Sequence, residues 1–109
     1  MRDDSERLRD IVEAIDNIER YAYRGKELFD RDELIQVWII HHLQIIGEAS
    51  AAMSLNFIAN HPEIPHRDMS DFRNVLVHEY FRIDPEIVWT VVIRDLPILK
   101  IKIMRILSK

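Results

Sequence analysis

The chain has no cysteine, only two glycines and four prolines, and no excess of positive charge. Without cysteine it can form neither disulfides nor thiolate metal sites. So little glycine and proline leaves scant material for a meander of β-hairpins. No long uncharged apolar run is present, and the opening Arg2-Asp3-Asp4 is unlike a signal peptide, so a soluble cytoplasmic protein with no membrane contact is expected. A formal net charge of -4 argues against broad, charge-driven binding to nucleic acid.

What remains is a chain of 109 residues, 48% hydrophobic. This fits a single domain, 1–109, able to bury roughly two thirds of its unfolded surface. Its charges are unevenly spread. Asp3, Asp4, Glu6, Asp10, Glu13, Asp16 and Glu19 load the start, and Arg94, Lys100, Lys102, Arg105 and Lys109 load the end. Such asymmetry either guides how subunits or partners meet or marks two solvated helix faces.

Helical spacing organises the apolar residues. Leu8, Ile11, Ile15, Ile18 and Ala22 give a first helix one apolar stripe, ending near Gly25. Asp30 or Asp32 can cap a second helix with Ile35, Trp38, Ile39, His42, Ile46, Ala49 and Met53 on one side and Val37, Ile40, Leu43 and Ala51 on others. A helix apolar nearly all round needs cover nearly all round. Dimerisation would supply it, with Gly47 permitting close helix approach; burial inside one monomer is the alternative. His61-Pro62-Glu63-Ile64-Pro65 interrupts the chain. A third helix is expected from near Arg67 or Ser70, and a fourth from Asp84, with Pro85 and Glu86 in its first turn. Pro97 lies deep in that pattern and predicts a kink or break, Asp95 being available to cap the helix beyond it. Val91-Val92-Ile93 and Lys100-Ile101-Lys102-Ile103 read as strand by propensity. Ile98, Ile101 and Leu99, Ile103, Ile106 also fit helical steps, and the expected fold is an all-α bundle of four to five helices.

The chemistry concentrates in Arg73-Asn74-Val75-Leu76-Val77-His78-Glu79-Tyr80. A guanidinium fork suits phosphate, and an imidazole exchanges protons near neutral pH. Together they point to phosphate-ester chemistry on a nucleic acid. The same residues would also be ordinary on an amphipathic helix with a wet charged face. At about 100° per residue, Arg73 and His78 lie some 140° apart, whereas Asn74 shares a face with His78 and Arg73 with Tyr80. Either the helix ends before His78, or two copies meet and build a shared cleft. The other histidines do not suggest a metal centre: His41, His42, His61 and His66 lack the HExxH spacing, and His42 falls on an apolar stripe. No metal and no cofactor are expected.

The octet resembles the signature of the HEPN superfamily, an Arg followed by four to six residues and a His. More narrowly, it is similar to that of the HepT-like toxins, which are paired with MntA-type nucleotidyltransferase antitoxins. The likeness extends over Met1-Arg2-Asp3-Asp4, Leu43-Gln44-Ile45-Ile46-Gly47-Glu48-Ala49, His61-Pro62-Glu63-Ile64-Pro65, Val88-Trp89 and Arg94-Asp95-Leu96-Pro97. His66 departs from it, since an aromatic such as Trp is expected there. The resemblance implies a dimeric ribonuclease with its active site at the subunit interface, cleaving RNA by metal-independent attack of the 2′-hydroxyl. Arg73 would bind the scissile phosphate, His78 would act on the proton of the attacking hydroxyl or the leaving oxygen, and Asn74 would orient the imidazole or bond the phosphate. It also implies that Tyr80 accepts AMP from the antitoxin, silencing the nuclease. The competing expectation is a non-catalytic helical subunit that only grips nucleotide for a nucleotidyltransferase.

Overall fold

The computed structural model describes residues 3–79 and 82–108. Asp3 starts the first helix, α1 (Asp4–Ala22), by accepting the Glu6 amide at 2.8 Å. The stripe read from the sequence is the buried one: Leu8, Ile11, Ile15 and Ile18 are enclosed, joined by Ala14. Each enclosed isoleucine contributes about 1.5–3 kcal/mol over an exposed one, so this stripe anchors the domain. Gly25 then turns the chain at φ 100°, in the left-handed region that favours glycine.

A short helix that the periodicity does not announce comes next, α2 (Lys26–Arg31). It inserts Phe29 against Trp89, with ring centroids 5.2 Å apart. Asp32, one of the two candidate caps, accepts the Leu34 and Ile35 amides and begins α3 (Glu33–Ala51). α3 packs on α1 along one side, where the Trp38 indole donates to the Asn17 carbonyl at 2.7 Å. His42 is buried and bonded at 2.8 Å through Nδ1 to the Trp38 carbonyl, so that nitrogen carries the proton. A second short helix, α4 (Leu55–Asn60), is capped by Ser54. The Ser54 hydroxyl accepts from the Phe57 amide and donates to Asp4, which also accepts the Ser54 amide. One serine thus ties the start of α1 to the far end of α3.

The octet lies on α5 (His66–His78), which packs along another side of α3. Most of the apolar girth of α3 is therefore covered from within the chain, and that need alone does not require a second copy. Leu34 and Val37 stay exposed. Asp84 caps α6 (Pro85–Thr90), with Pro85 and Glu86 in its first turn as expected.

The expectation of a break at Pro97 is corrected. The helix neither breaks nor takes Asp95 as a cap. It passes through a wide π turn, Val91–Asp95, into α7 (Leu96–Leu107), and the Asp95 carboxylate instead accepts from Arg94 at 3.0 Å. Proline lacks an N–H, and its ring crowds a carbonyl one turn back; the wider turn relieves both demands while the chain stays helical. The strand-like stretch at 98–107 is helical, and the described residues contain no strand. α7 packs on α1, where Lys100 donates to Asp16 at 2.7 Å, so part of the charge asymmetry is resolved inside the chain. No helix of the described residues is long and apolar enough to cross a membrane.

Candidate functional site

Where α3 and α5 cross, Gly47 faces Arg73. A Cβ added at Gly47 would overlap the Arg73 Cβ and lie 2.9 Å from both its Cγ and the Met69 carbonyl oxygen. Only a residue without a side chain lets α5 approach so near. The close approach anticipated for Gly47 is thus made to the chain's own α5. Ser50, one turn further along α3, is buried and donates its hydroxyl to the Ile46 carbonyl at 2.8 Å, so its own polar group is satisfied beside the crossing.

This crossing sets the Arg73 side chain. Its stem lies over Gly47, and its Nε is buried without a hydrogen-bond partner among the described residues. The terminal nitrogens reach outward. Nη1 donates to Asn74 Oδ1 at 3.0 Å, and Nη2 lies 3.6 Å from Glu48 Oε1 on α3. Because a guanidinium can only donate, Asn74 must present its oxygen to it, which turns the amide's own N–H groups elsewhere.

His78 is exposed in the last turn of α5, as is Asn74. The helix runs unbroken from Arg73 through His78 and is capped only at Glu79, whose amide bonds the Val75 carbonyl at 2.8 Å. The alternative in which the helix ends before His78 is therefore excluded. Asn74 and His78 project from the side of α5 opposite buried Leu76, while Arg73 emerges along its flank against α3. Val75 and Val77, on either side of the Asn74 and His78 face, are 47% and 42% exposed. The structure thus joins Arg73 with Asn74 and holds His78 on the adjoining face. Tyr80 lies outside the described residues.

Glu48 is the residue the sequence reading passed over. It stood inside the Leu43–Ala49 stretch, and its signal was its place: one step round the helix from a glycine that brings α5 close. His66, the departure from the expected aromatic, is buried with its ring edge-on to Phe57 at 5.6 Å. It fills the aromatic position with an imidazole whose two nitrogens have no partner among the described residues. Burial pushes its pKa below the ordinary histidine value, against the pull of the nearby His61 carbonyl, Glu63 and Asp4.

Beyond α5 a groove of about 520 Å³ opens between α5 and α7. Leu43 and Ile46 of α3 form its floor, Met69 and Phe72 one wall, and Leu96 and Leu99 the other.

A family model described as "Ribonuclease HepT-like" matches residues 11–106. The chain is 43% identical over 94 residues to a protein of Thermococcus cleftensis named "Probable ribonuclease HepT", covering 85% of this chain and 86% of that one. It is 33% identical over 97 residues to a protein of Methanocaldococcus jannaschii whose name carries the word RNase, covering 85% and 86%. A longer protein of the same organism, whose name joins a gamma-glutamylcyclotransferase to an RNase, is 31% identical over 103 residues, 94% of this chain but 46% of that one. The chain spans about half of that relative. No solved structure matches at a significant level.

Proposed function

The chain belongs to the ribonuclease HepT-like family and is a ribonuclease of that family, and from that premise we propose that it cleaves RNA at a composite site assembled by two copies. The observation that carries this reading is the unbroken course of α5 from Arg73 through His78. A rigid helix holds one chain's guanidinium and imidazole some 140° apart, so a second copy meeting this face brings its own pair into the same cleft. The exposed Val75 and Val77 beside His78 give that copy apolar surface to cover.

In this reading the Arg73 guanidinium binds the scissile phosphate and stabilises the charge that gathers on it. The 2′-oxygen attacks phosphorus, the bond to the 5′-oxygen breaks, and a 2′,3′-cyclic phosphate and a free 5′-hydroxyl result. His78 takes the proton of the attacking hydroxyl or gives one to the leaving oxygen. Asn74, tied to Arg73, holds that fork and turns its remaining N–H groups toward the phosphate. Proton transfer and charge stabilisation both come from the chain's own side chains, so the reaction is proposed to be metal-independent. DNA, lacking the nucleophile, is not a substrate.

The regulatory part of the proposal rests on the family resemblance. An MntA-type nucleotidyltransferase antitoxin places AMP on Tyr80, two residues beyond His78, making this chain the toxin of a toxin–antitoxin pair in the cytoplasm. A bulky anion there engages the cation and fills the space that the RNA phosphate needs.

The test is direct. Purified protein, free of partner and in the presence of a chelator, should cut single-stranded RNA and leave cyclic phosphate ends. His78→Ala should lose about 10² to 10⁴ of the rate. An unchanged rate in that variant, or loss of activity on chelation, would overturn the mechanism; nucleotide binding without any cleavage would return the chain to the non-catalytic subunit reading.

A further inference from the structure

We propose that Glu48 is a positioning residue for Arg73, fixing from α3 the plane of the guanidinium that α5 presents to RNA. The proposal rests on the reading of Arg73 as the phosphate-binding group. Three observations build it. The Arg73 stem is pressed over Gly47 and its Nε is enclosed, so the side chain cannot swing away as a whole. What freedom remains lies in the final rotations of the fork. Those are met from two sides: Asn74 Oδ1 stands 3.0 Å from one terminal nitrogen, and Glu48 Oε1 stands 3.6 Å from the other.

Each terminal nitrogen carries two hydrogens. With one on each turned toward Asn74 and Glu48, the second on each is left for two phosphate oxygens, the bidentate pairing that suits this fork. Glu48 and Gly47 work as neighbours in sequence. The glycine admits α5, and the next residue, about 100° further round α3, reaches the flank where the guanidinium emerges.

Stability does not explain the pair. The side chains of Arg73 and Glu48 are 35% and 56% exposed, and ion pairs so open to water contribute little to folding. Substrate affinity does not explain it either, because a carboxylate beside the cation repels an incoming phosphate. Its benefit must therefore appear in the rate at which bound RNA reacts.

The experiment measures two quantities on the full chain: the single-turnover cleavage rate at saturating single-stranded RNA, and the Kd for a 2′-O-methyl oligoribonucleotide of the same sequence, which cannot react. Glu48→Ala should lower the rate about tenfold to a hundredfold, the scale of a small misplacement of a reacting group. Its Kd should be unchanged or tighter. Glu48→Gln, which keeps an acceptor at the same reach, should recover most of the rate. In an Arg73→Ala background, followed long enough to quantify its residual cleavage, Glu48→Ala should cost nothing more. A merely structural role would weaken binding and rate together and lower the melting temperature. An unchanged rate in Glu48→Ala, or the same loss repeated in the Arg73→Ala background, overturns the positioning role alone. Parent-level cleavage by Arg73→Ala overturns the phosphate-binding reading, and this proposal with it.

Discussion

Gly47 on α3 and Arg73 on α5 meet backbone to side-chain root, so closely that no Cβ fits between them. The proposed phosphate-binding group is therefore placed by the packing of two helices and not by a surface loop. Its direction is set by close packing.

Gly47→Ala tests that link. In mid-helix, alanine alone would add about 1 kcal/mol of stability over glycine. Here the new methyl meets the root of Arg73 and the Met69 carbonyl, neither of which is the far end of a flexible chain. Overpacking of this kind costs about 1–3 kcal/mol, and with a rigid side-chain root and a carbonyl as the clashing groups the upper part of that range applies, a net loss of up to about 2 kcal/mol. Denaturant titration should show a lower midpoint, and cleavage should fall by about 10² if α5 is displaced by as little as an ångström. A variant as stable and as fast as its parent would mean that the crossing does not hold Arg73.

Mixing two inactive proteins tests the shared cleft. Arg73→Ala and His78→Ala each damage one half of the proposed site, and a mixed dimer would still hold one intact pair. Partial activity should return after subunit exchange, verified by pulling a tagged copy through an untagged one. Light scattering should report a dimer for the parent. A fully active monomer would remove the need for two chains.

Much of this architecture was legible from spacing and capping. The stripe of α1, the Asp32 and Asp84 caps and the burial of His42 follow from periodicity and from which side chains satisfy helix ends. Helices α2 and α4 were not legible, because each is only six residues long and held by a single buried aromatic, Phe29 or Phe57. The π turn was hidden for a related reason: Pro97 announces a conflict with the helix but not its resolution. In the candidate site, the residue types of Arg73, Asn74 and His78 could be read from the octet. The contact of Glu48 with Arg73 could not, since it depends on a helix crossing that joins residues 25 apart in sequence.

Tyr80→Phe tests the regulation. Co-expressed with an MntA-type nucleotidyltransferase and nucleoside triphosphate, the parent should gain whole AMP units and lose RNA cleavage. The Phe variant lacks only the accepting hydroxyl, so it should gain no AMP, keep its own unmodified mass and remain toxic beside the partner. Its cleavage rate measured alone shows whether the hydroxyl also serves the reaction. Intact mass spectrometry finding AMP on other residues only, or full silencing of an active Phe variant without modification, would rule out Tyr80 as the switch.

His66 makes the last prediction, on acid stability. Its imidazole is buried against Phe57, with His61, Glu63 and Asp4 the titratable groups around it. Burial disfavours the charged form, and the folded-state pKa lies below the ordinary value of 6.5. The unfolded chain therefore binds this proton more readily than the folded one. Stability is fully present above pH 6.5 and is lost as the pH falls from there through the lowered pKa of the folded state. Asp4 acts in a separate window. Its hydrogen bonds from the Ser54 hydroxyl and amide hold its pKa below 3.8, so its contribution is present above 3.8 and disappears only in stronger acid. His66→Phe replaces the imidazole with a ring that needs no partner for buried nitrogens. Melting temperatures between pH 7.5 and 3 should show the parent weakening from just below 6.5. The Phe variant should hold its stability in that range better and lose it, like the parent, below about pH 4. Parallel profiles for the two proteins between pH 7 and 5 would show that His66 does not sense acid.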